Sequence, residues 1–375
     1  MLDVPGLACT VIGKSSREAP ADRVLRETLR GQKNLTRDEG FLVSRMVFAY
    51  YRWLGWLKQA EPLSEQIRRA QDLAERFASQ PKSLSDEELV ERSIPLWVKN
   101  EMEVTPALAR ALQSEPRLWL RARQGQGRAL ATSLGDTQIF GQGSLSDILE
   151  YRGIEDLFRT TRFQAGEFEL QDISSQAVSL ACDPKPGETW WDACAGEGGK
   201  TLHLSELMEN KGLIWATDRA AWRLQKLKQR AARARMFNYR TALWNGGPKL
   251  PTKTKFDGVL VDAPCSGTGT WGRNPHARWT TTPQDVQELG ELQKQLLENA
   301  SAALKPGGKL VYAVCALTSF ETLAVVEAFD KQFSQFERLL LSNPLDPASM
   351  PSATIWLRPQ QFAGNGMFIA ARVKK

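Results

Sequence analysis

Two cysteines follow apolar segments whose composition predicts buried strands. Cys265 stands in "FDGVLVDAPCSGTG", three residues after Asp262, and Cys315 stands in "KLVYAVCALTS". A thiolate is a strong nucleophile, so a thiol at a strand end can serve covalent catalysis. A lone cysteine is more often an inert buried residue, but two at equivalent strand ends beside an acid favour a functional pair.

A glycine-rich loop, "DACAGEGGKT", follows an earlier predicted strand and opens a helix. Glycines let the backbone approach a ligand closely, and a helix N-terminus favours an electron-rich group. A P-loop would need glycine where Cys194 stands. A dinucleotide loop would need its last glycine where Thr201 or Leu202 stands. Both alternatives therefore fit poorly.

The next predicted strand, "GLIWATD", ends at Asp218. A carboxylate there can accept hydrogen bonds from ribose hydroxyls, in dinucleotide and S-adenosylmethionine sites alike. The later "LKPGGKLVY" resembles the turn before strand five of class I methyltransferases. Together these features favour S-adenosylmethionine as the cofactor.

The paired thiols suit methyl transfer to carbon 5 of cytosine. That carbon is a poor nucleophile until a thiolate adds at carbon 6. A carboxylic acid at Asp262 could stabilise the charge that addition creates on the ring, and the second thiol could assist release of the product. Methyl transfer to an exocyclic amine normally also uses a stacking aromatic, and Cys265 occupies that position.

The chain has three predicted parts. Residues 1–115 show helical spacing of apolar residues, including an aromatic run, "YYRWLGWLK", that we expect in the core. Residues 116–172 contain short β-like runs and predict a small α+β linker module. Residues 173–375 alternate strands and helices, which predicts an α/β, Rossmann-like parallel sheet with its ligand beyond the carboxyl ends of the strands.

Composition adds weaker constraints. The 375 residues carry a formal net charge of +6, compatible with an anionic partner. The opening residues do not have the pattern of a secretory signal, and long apolar segments are lacking, so we expect a cytoplasmic protein without membrane contact. Five scattered cysteines and two histidines favour a reducing compartment and predict no metal site.

The part from Phe168 onward closely resembles the RsmB/Nop2/Sun family of RNA (cytosine-5)-methyltransferases, which use S-adenosylmethionine. The matching stretches are "FELQDISSQA", "DACAGEGGKT", "VDAPCSGTGTWGRNPHARW", "LKPGGKLVYAVC" and "GMFIAARVKK". The resemblance implies a class I methyltransferase fold. It also implies that Cys315 is the nucleophile, that Cys265 assists release, and that Asp262 is the acid of strand four.

The resemblance also implies a set of cofactor-binding residues: Cys194, Ala195, Gly196, Glu197, Gly198, Gly199, Lys200, Asp218, Asn245 and Asp262. The family's loop usually reads Cys-Ala-Ala-Pro-Gly-Gly-Lys, so Glu197 adds a negative charge near the methionine end of the cofactor. Asn245 replaces an acid near the adenine amine. Around Cys315 the usual Thr-Cys-Ser is Val-Cys-Ala, and of a downstream acidic pair only Glu321 is kept.

The helical part is more weakly similar to the NusB-like RNA-binding bundle of the RsmB branch, which acts on small-subunit (16S) ribosomal RNA. The family uses the segment after strand four near its target nucleotide. This implies RNA contacts for Arg273, Asn274, Arg278 and Trp279, with arginine on phosphate and tryptophan stacked on an extruded base. Plain packing is an equal alternative for Trp279.

The leading hypothesis is methylation of carbon 5 of a cytosine in RNA, with ribosomal RNA as the partner and a monomeric enzyme. A tRNA substrate is one alternative. The altered letters at Glu197 and around Cys315 leave open a catalytically weakened RNA-binding ribosome-assembly factor. A nicotinamide-linked enzyme is a third class, which the glycine spacing disfavours.

Overall fold

A computed structural model describes residues 3–375, and the chain divides into two compact units. The first unit is helical and comprises residues up to 116 together with residues 266–286. Its helices before residue 117 are α1 (Val4–Lys14), α2 (Ala21–Arg30), α3 (Arg37–Arg52), α4 (Leu63–Ser79), α5 (Asp86–Arg92) and α6 (Pro106–Gln113).

The aromatic run at the end of α3 lies in the core of the helical unit, as predicted. Tyr50, Tyr51, Trp53 and Trp56 are all buried. They pack with apolar residues of α1, α2 and α4. Burying several large rings supplies much of the hydrophobic stabilisation of so small a bundle.

The second unit begins with a small module that has its own four-stranded antiparallel sheet, in the order β2-β3-β1-β4. Its elements are β1 (Leu118–Ala122), α7 (Gly127–Leu134), β2 (Thr137–Ile139), β3 (Ile148–Tyr151), α8 (Thr161–Gln164) and β4 (Phe168–Leu170). Strands β1 and β4 are therefore among the short β-like runs predicted for residues 116–172. This module and the larger sheet fall in the same compact unit.

The rest of the chain contains a larger mixed sheet. Its elements, in chain order, are α9 (Ile173–Cys182), β5 (Thr189–Asp192), α10 (Gly199–Leu207), β6 (Leu213–Asp218), α11 (Ala221–Arg233), β7 (Tyr239–Leu243), β8 (Phe256–Asp262), α12 (Pro275–Thr280), α13 (Pro283–Ser301), β9 (Leu304–Val314), α14 (Leu323–Gln332), β10 (Phe336–Leu339), β11 (Thr354–Leu357), α15 (Pro359–Phe362) and β12 (Met367–Lys374).

The strand order of this sheet is β10-β12-β9-β8-β5-β6-β7, with β11 paired to β12. The strands from β9 to β7 pair in parallel, whereas β12 runs antiparallel to β9. Two apolar clusters pack on it, one including α9, α10 and α11 and the other including α13 and α14. The predicted Rossmann-like arrangement is confirmed, and β8 and β9 are hydrogen-bonded neighbours.

Residues 266–286 follow the cysteine loop after β8. They were predicted to belong with residues 173–375, but they form part of the helical unit. Trp271 is buried in a cluster with Ile94, Val98 and Leu112. Arg52 donates a 3.2 Å hydrogen bond to the Gly272 carbonyl. The segment is therefore an integral part of the helical core, although it is distant from that core in sequence.

Within residues 3–375, no helix combines the length and the apolar character needed to cross a membrane.

Candidate active site

A cavity of 430 Å³ opens at the carboxyl ends of the parallel strands. This volume lies within the range of small-molecule sites. The residues lining it include every predicted cofactor residue except Gly198, and also both predicted catalytic cysteines. The loops that follow β5, β6, β8 and β9 are thereby brought to one pocket.

The glycine-rich loop between β5 and α10 is shaped by two residues with positive φ. Gly196 has φ +55° and Gly198 has φ +87°. A Cβ on Gly198 would lie 2.6 Å from Cγ of Leu227, which is closer than packing allows, whereas a Cβ on Gly196 would meet no atom within 4 Å. Position 198 therefore needs glycine for both conformation and space. Position 196 has open space beside the backbone.

Asp218, at the end of β6, is 6% exposed and supports this loop. Its carboxylate accepts a 3.1 Å hydrogen bond from the Gly196 amide and a 2.8 Å bond from the Ala220 amide. It lines the pocket, so the acid predicted to bind ribose is in reach of a ligand there.

Lys200 and Asp262 form an ion pair inside the pocket. Lys200 Nζ donates a 2.7 Å hydrogen bond to Asp262 Oδ2. Burial by itself lowers the pKa of Lys200, but the charge and hydrogen bond of Asp262 outweigh it, so the pKa is raised. Lys200 therefore keeps a positive charge beside the acid, a contact that its assignment to the cofactor loop did not predict.

The two predicted catalytic thiols are in contact: Cys265 Sγ lies 3.2 Å from Cys315 Sγ. The hydrogen bond from Cys265 lowers the pKa of Cys315, burial and the Asp262 charge oppose this, and the Lys200 charge adds to the lowering. The net direction is down, which favours the thiolate that a nucleophile needs.

Asp192, at the end of β5, is 1% exposed and lies beneath the loop. Thr201, in the first turn of α10, donates a 2.6 Å hydrogen bond to Oδ2, while Oδ1 is buried without a hydrogen-bond partner. Burial raises the pKa of Asp192 to about 7, although Thr201 opposes the shift. Burial of Asp192 thus favours the protonated form of its carboxyl group.

Glu197 and Asn245, which depart from the family pattern, each contact a neighbouring group. Glu197 Oε1 lies 2.9 Å from Nζ of Lys226 on α11, so a cation offsets the charge it adds to the pocket. Asn245 is exposed, and its side-chain oxygen accepts a 3.1 Å hydrogen bond from the Gly247 amide. One lone pair of that oxygen is already used within its own turn.

The prediction that Arg278 contacts RNA phosphate is wrong, because its side chain is 0% exposed. Its guanidinium donates to the carbonyls of Ser93 and Leu112, each at 2.8 Å, and to the side chain of Gln113 at 2.8 Å. Burial lowers its pKa to about 9. Arg278 therefore joins separate parts of the helical unit, and its donors face protein acceptors.

Trp279 is half-buried, and its indole donates a 2.7 Å hydrogen bond to the Tyr51 carbonyl. This contact matches the packing alternative better than stacking on an extruded base. Arg273 is exposed and Asn274 is half-buried at the start of α12. Contact of these two residues with RNA stays a prediction.

Two arginines that sequence reasoning did not assign also line the pocket. Arg219 and Arg223 lie on the cofactor side, and Arg223 approaches Asp218 to within 3.8 Å. The signal that could have identified them is their place just after the strand-end acid Asp218, Arg219 next to it and Arg223 in the first turn of α11. No group of three or more side chains suited to a metal ion occurs among residues 3–375.

Comparison with known proteins assigns the chain to a family. The family described as 16S rRNA methyltransferase RsmB/F matches residues 179–372, just over half of the chain. This chain belongs to the RsmB/F methyltransferase family. Membership supports S-adenosylmethionine as the cofactor, in agreement with the prediction.

Relatives and a solved structure agree with this assignment. The "Probable ribosomal RNA small subunit methyltransferase B" of Synechocystis sp. is 38% identical over 56% of this chain and 48% of its own length. The "Ribosomal RNA small subunit methyltransferase B" of Erwinia tasmaniensis is 28% identical over 95% of this chain and 78% of its own length. The crystal structure of PH0851 has a TM-score of 0.79 at 22% identity and covers 100% of this chain and 99% of that chain, which supports the fold.

The chain spans about half the length of the first relatives that it matches, from Synechocystis sp. and Bacillus subtilis.

The pocket of this RsmB/F family member fits its expected cofactor. The open space beside Gly196 admits a ligand against the loop backbone, and Asp218 offers a carboxylate for ribose hydroxyls. Lys200, Asp262 and the two cysteines line the same cavity. Asp218 and the two thiols therefore line one cavity that is open to a ligand.

Proposed function

We propose that this protein methylates carbon 5 of a cytosine in RNA, with small-subunit ribosomal RNA as the substrate. The observation that carries the proposal is the 3.2 Å contact between Cys265 and Cys315 at the edge of the cofactor pocket, beside Asp262. Paired thiols next to an acid and a cation supply what addition to a pyrimidine ring requires.

Cys315 acts as the nucleophile. The hydrogen bond from Cys265 lowers its pKa and so favours the thiolate form that attacks. The thiolate forms a bond to carbon 6 of the cytosine, and the electrons of the carbon 5–carbon 6 double bond move into the ring, so that carbon 5 becomes nucleophilic. The negative charge that develops on the ring lies beside Asp262 and the Lys200 ammonium, which together hold a proton for the ring nitrogen.

S-adenosylmethionine supplies an electrophilic methyl group when it is bound. In this pocket the loop from Cys194 to Lys200 lines the cavity along its backbone. Asp218 and Asn245 line the same cavity, where Asp218 would hold the ribose hydroxyls and Asn245 the adenine. These residues would thereby set the position of the cofactor relative to the thiols, which is the main requirement for a transfer between two bound groups.

Cys265 assists the last step. Once carbon 5 has accepted the methyl group, it loses its proton to solvent, the carbon 5–carbon 6 double bond reforms, and the bond from carbon 6 to Cys315 breaks. The departing thiolate of Cys315 is stabilised by the Cys265 thiol at hydrogen-bond distance. Without that donor the leaving group is poorer, so the covalent adduct persists.

The choice of small-subunit ribosomal RNA is supported by the family and by the names of its relatives. Arg273 is exposed in the segment after the cysteine loop and is proposed to contact the RNA backbone, with Asn274 beside it. The ion pair between Glu197 and Lys226 removes one reason to regard the protein as a weakened assembly factor.

The test is a denaturing gel of wild-type, Cys265→Ala and Cys315→Ala proteins, each incubated with S-adenosylmethionine and unmodified small-subunit ribosomal RNA or tRNA. Cys265→Ala is expected to accumulate a slow-migrating protein–RNA adduct, and Cys315→Ala to form none. An adduct that depends on Cys265 would reverse the two roles. Absence of adduct and of methylation with both RNAs would overturn the proposal, and methylation of tRNA alone would change the substrate.

A further inference from the structure

The backbone directly before Cys265 is held by a buried amide from α13. Gln293 Nε2 donates a 2.9 Å hydrogen bond to the Pro264 carbonyl and a 3.0 Å hydrogen bond to Glu321 Oε1. Gln293 is 0% exposed. Both of its amide hydrogens are therefore used, one on the loop after β8 and one on the turn after β9.

The second partner belongs to the loop that begins with Cys315. Glu321 is also 0% exposed, and its Oε2 accepts a 2.8 Å hydrogen bond from the Thr318 hydroxyl. Tyr312, in β9, donates a 2.7 Å hydrogen bond to the Glu321 carbonyl, and its hydroxyl lies 2.9 Å from Gln293 Oε1. Burial raises the pKa of Tyr312 well above its ordinary value, so the phenol stays a donor.

A carboxamide suits position 293 for a specific reason. Its nitrogen faces two acceptors, the Pro264 carbonyl and the Glu321 carboxylate, and its oxygen faces the Tyr312 hydroxyl. A glutamate there would place a second carboxylate against Glu321. An apolar residue of the same size would take one hydrogen-bond donor away from each of these two buried acceptors, which is costly.

We propose that Gln293 is a positioning residue that joins the two cysteine loops and thereby sets the spacing of the Cys265 and Cys315 thiols. The inference rests on the proposed function, in which that spacing governs addition and release. Gln293 acts on the thiols through its hydrogen bonds to Pro264 and Glu321.

The test compares three variants. Gln293→Met keeps the length of the side chain and removes its donors. Gln293→Met combined with Glu321→Gln also removes the buried charge that has lost the hydrogen bond from Gln293, which protects the fold if the single variant unfolds. Gln295→Met is the matched control, because Gln295 is exposed on the same helix.

Two readouts are used on the full chain. The first is the pH dependence of Cys315 alkylation by iodoacetamide, followed by peptide mass spectrometry, which requires no methyl transfer. The second is the kcat and KM for RNA methylation with S-adenosylmethionine. Thermal unfolding establishes that each variant is folded.

Loss of the link should let the thiols separate, so the alkylation midpoint of Cys315 should move to higher pH in Gln293→Met. The shift should be smaller in the double variant, because the charge of Glu321, which raises the pKa of Cys315, is also removed. The kcat should fall about 100-fold, the effect of displacing a reacting group by about 1 Å, with KM for S-adenosylmethionine unchanged. Gln295→Met should match wild type in both readouts.

A folded Gln293→Met variant, or the folded double variant, with the alkylation profile and kcat of wild type would overturn the inference. The outcome is separable from the proposed function: if wild type does not methylate RNA, the alkylation profiles still decide whether Gln293 sets the thiol contact. If wild type is active and only KM changes in the variants, the positioning role is wrong while the function stands.

Discussion

Lys200 and Asp262 come from the loops after β5 and β8, and they meet in the pocket at 2.7 Å between Nζ and Oδ2. The pair links the cofactor loop to the acid that precedes Cys265. Because Lys200 is among the groups that lower the pKa of Cys315, one cation serves both the acid and the nucleophile. The cofactor side and the thiol side of the site are electrostatically coupled through this pair.

Replacing the cation should therefore impair catalysis more than folding. We expect Lys200→Met to raise the alkylation midpoint of Cys315 and to lower kcat about 100-fold, since one charge-stabilising group at a reacting centre contributes on that scale. The pH profile of iodoacetamide labelling measures the alkylation midpoint, and steady-state methylation assays measure kcat. Lys228→Met, on the exposed face of α11, is the control and should leave both unchanged. A wild-type pH profile in Lys200→Met would contradict the coupling.

The cofactor loop offers a test of shape. Gly198→Ala introduces a Cβ 2.6 Å from Leu227 Cγ at φ +87°. We expect a loss of about 1–3 kcal/mol in the free energy of unfolding, from overpacking and backbone strain, and weaker binding of S-adenosylmethionine. Thermal unfolding and isothermal titration calorimetry measure the two quantities.

Gly196→Ala is the matched control for that variant, because Gly196 also has positive φ but its added Cβ meets no atom within 4 Å. It should carry the conformational cost without the steric one, so its loss of stability should be smaller. Equal losses in the two variants would show that the contact with Leu227 is unimportant.

Arg278 is a structural arginine, whereas Arg273 is a proposed RNA contact, and substitutions at the two positions should have different effects. Arg278→Met leaves the carbonyls of Ser93 and Leu112 without their donor inside the helical unit. We expect it to cost about 3 kcal/mol of stability, since each buried unsatisfied acceptor costs about 1–3 kcal/mol. Arg273→Met, at an exposed position, should lower the melting temperature much less than Arg278→Met does.

RNA affinity, unlike stability, should depend on Arg273. Arg273→Met should weaken binding and reduce the slope of log affinity against log salt by about one, the signature of a lost phosphate contact. Fluorescence anisotropy with a ribosomal RNA fragment, repeated at several salt concentrations, gives that slope. An unchanged slope would remove Arg273 from the proposed interface.

The contrast between these arginines also marks how far sequence could predict the site. Contact between Cys265 and Cys315 could be predicted because both follow strands that the alternating pattern places in one parallel sheet, side by side. Burial of Arg278 could not be predicted, because its hydrogen-bond acceptors come from segments of the helical unit that are distant in sequence and meet only in the folded chain. The local sequence around Arg278 is the same whether it faces RNA or carbonyls.

Asp192 gives a prediction about pH. Its pKa in the folded protein is about 7, above the ordinary 3.8, because burial disfavours the carboxylate. Between these two values the folded state holds a proton that the unfolded state has lost. Stability should therefore decrease as pH rises, by at most about 1.4 kcal/mol per pH unit from this group, and level off above about pH 7.

Asp192→Asn removes this titration and keeps an oxygen for the Thr201 hydroxyl. Its unfolding free energy, measured by urea titration from pH 4 to pH 8, should decline less steeply than that of wild type. The advantage of the variant should be greatest at pH 8, because only wild type then carries a buried carboxylate with one oxygen lacking a partner. Parallel curves for the two proteins would mean that Asp192 is ionised throughout this range, and the elevated pKa would be wrong.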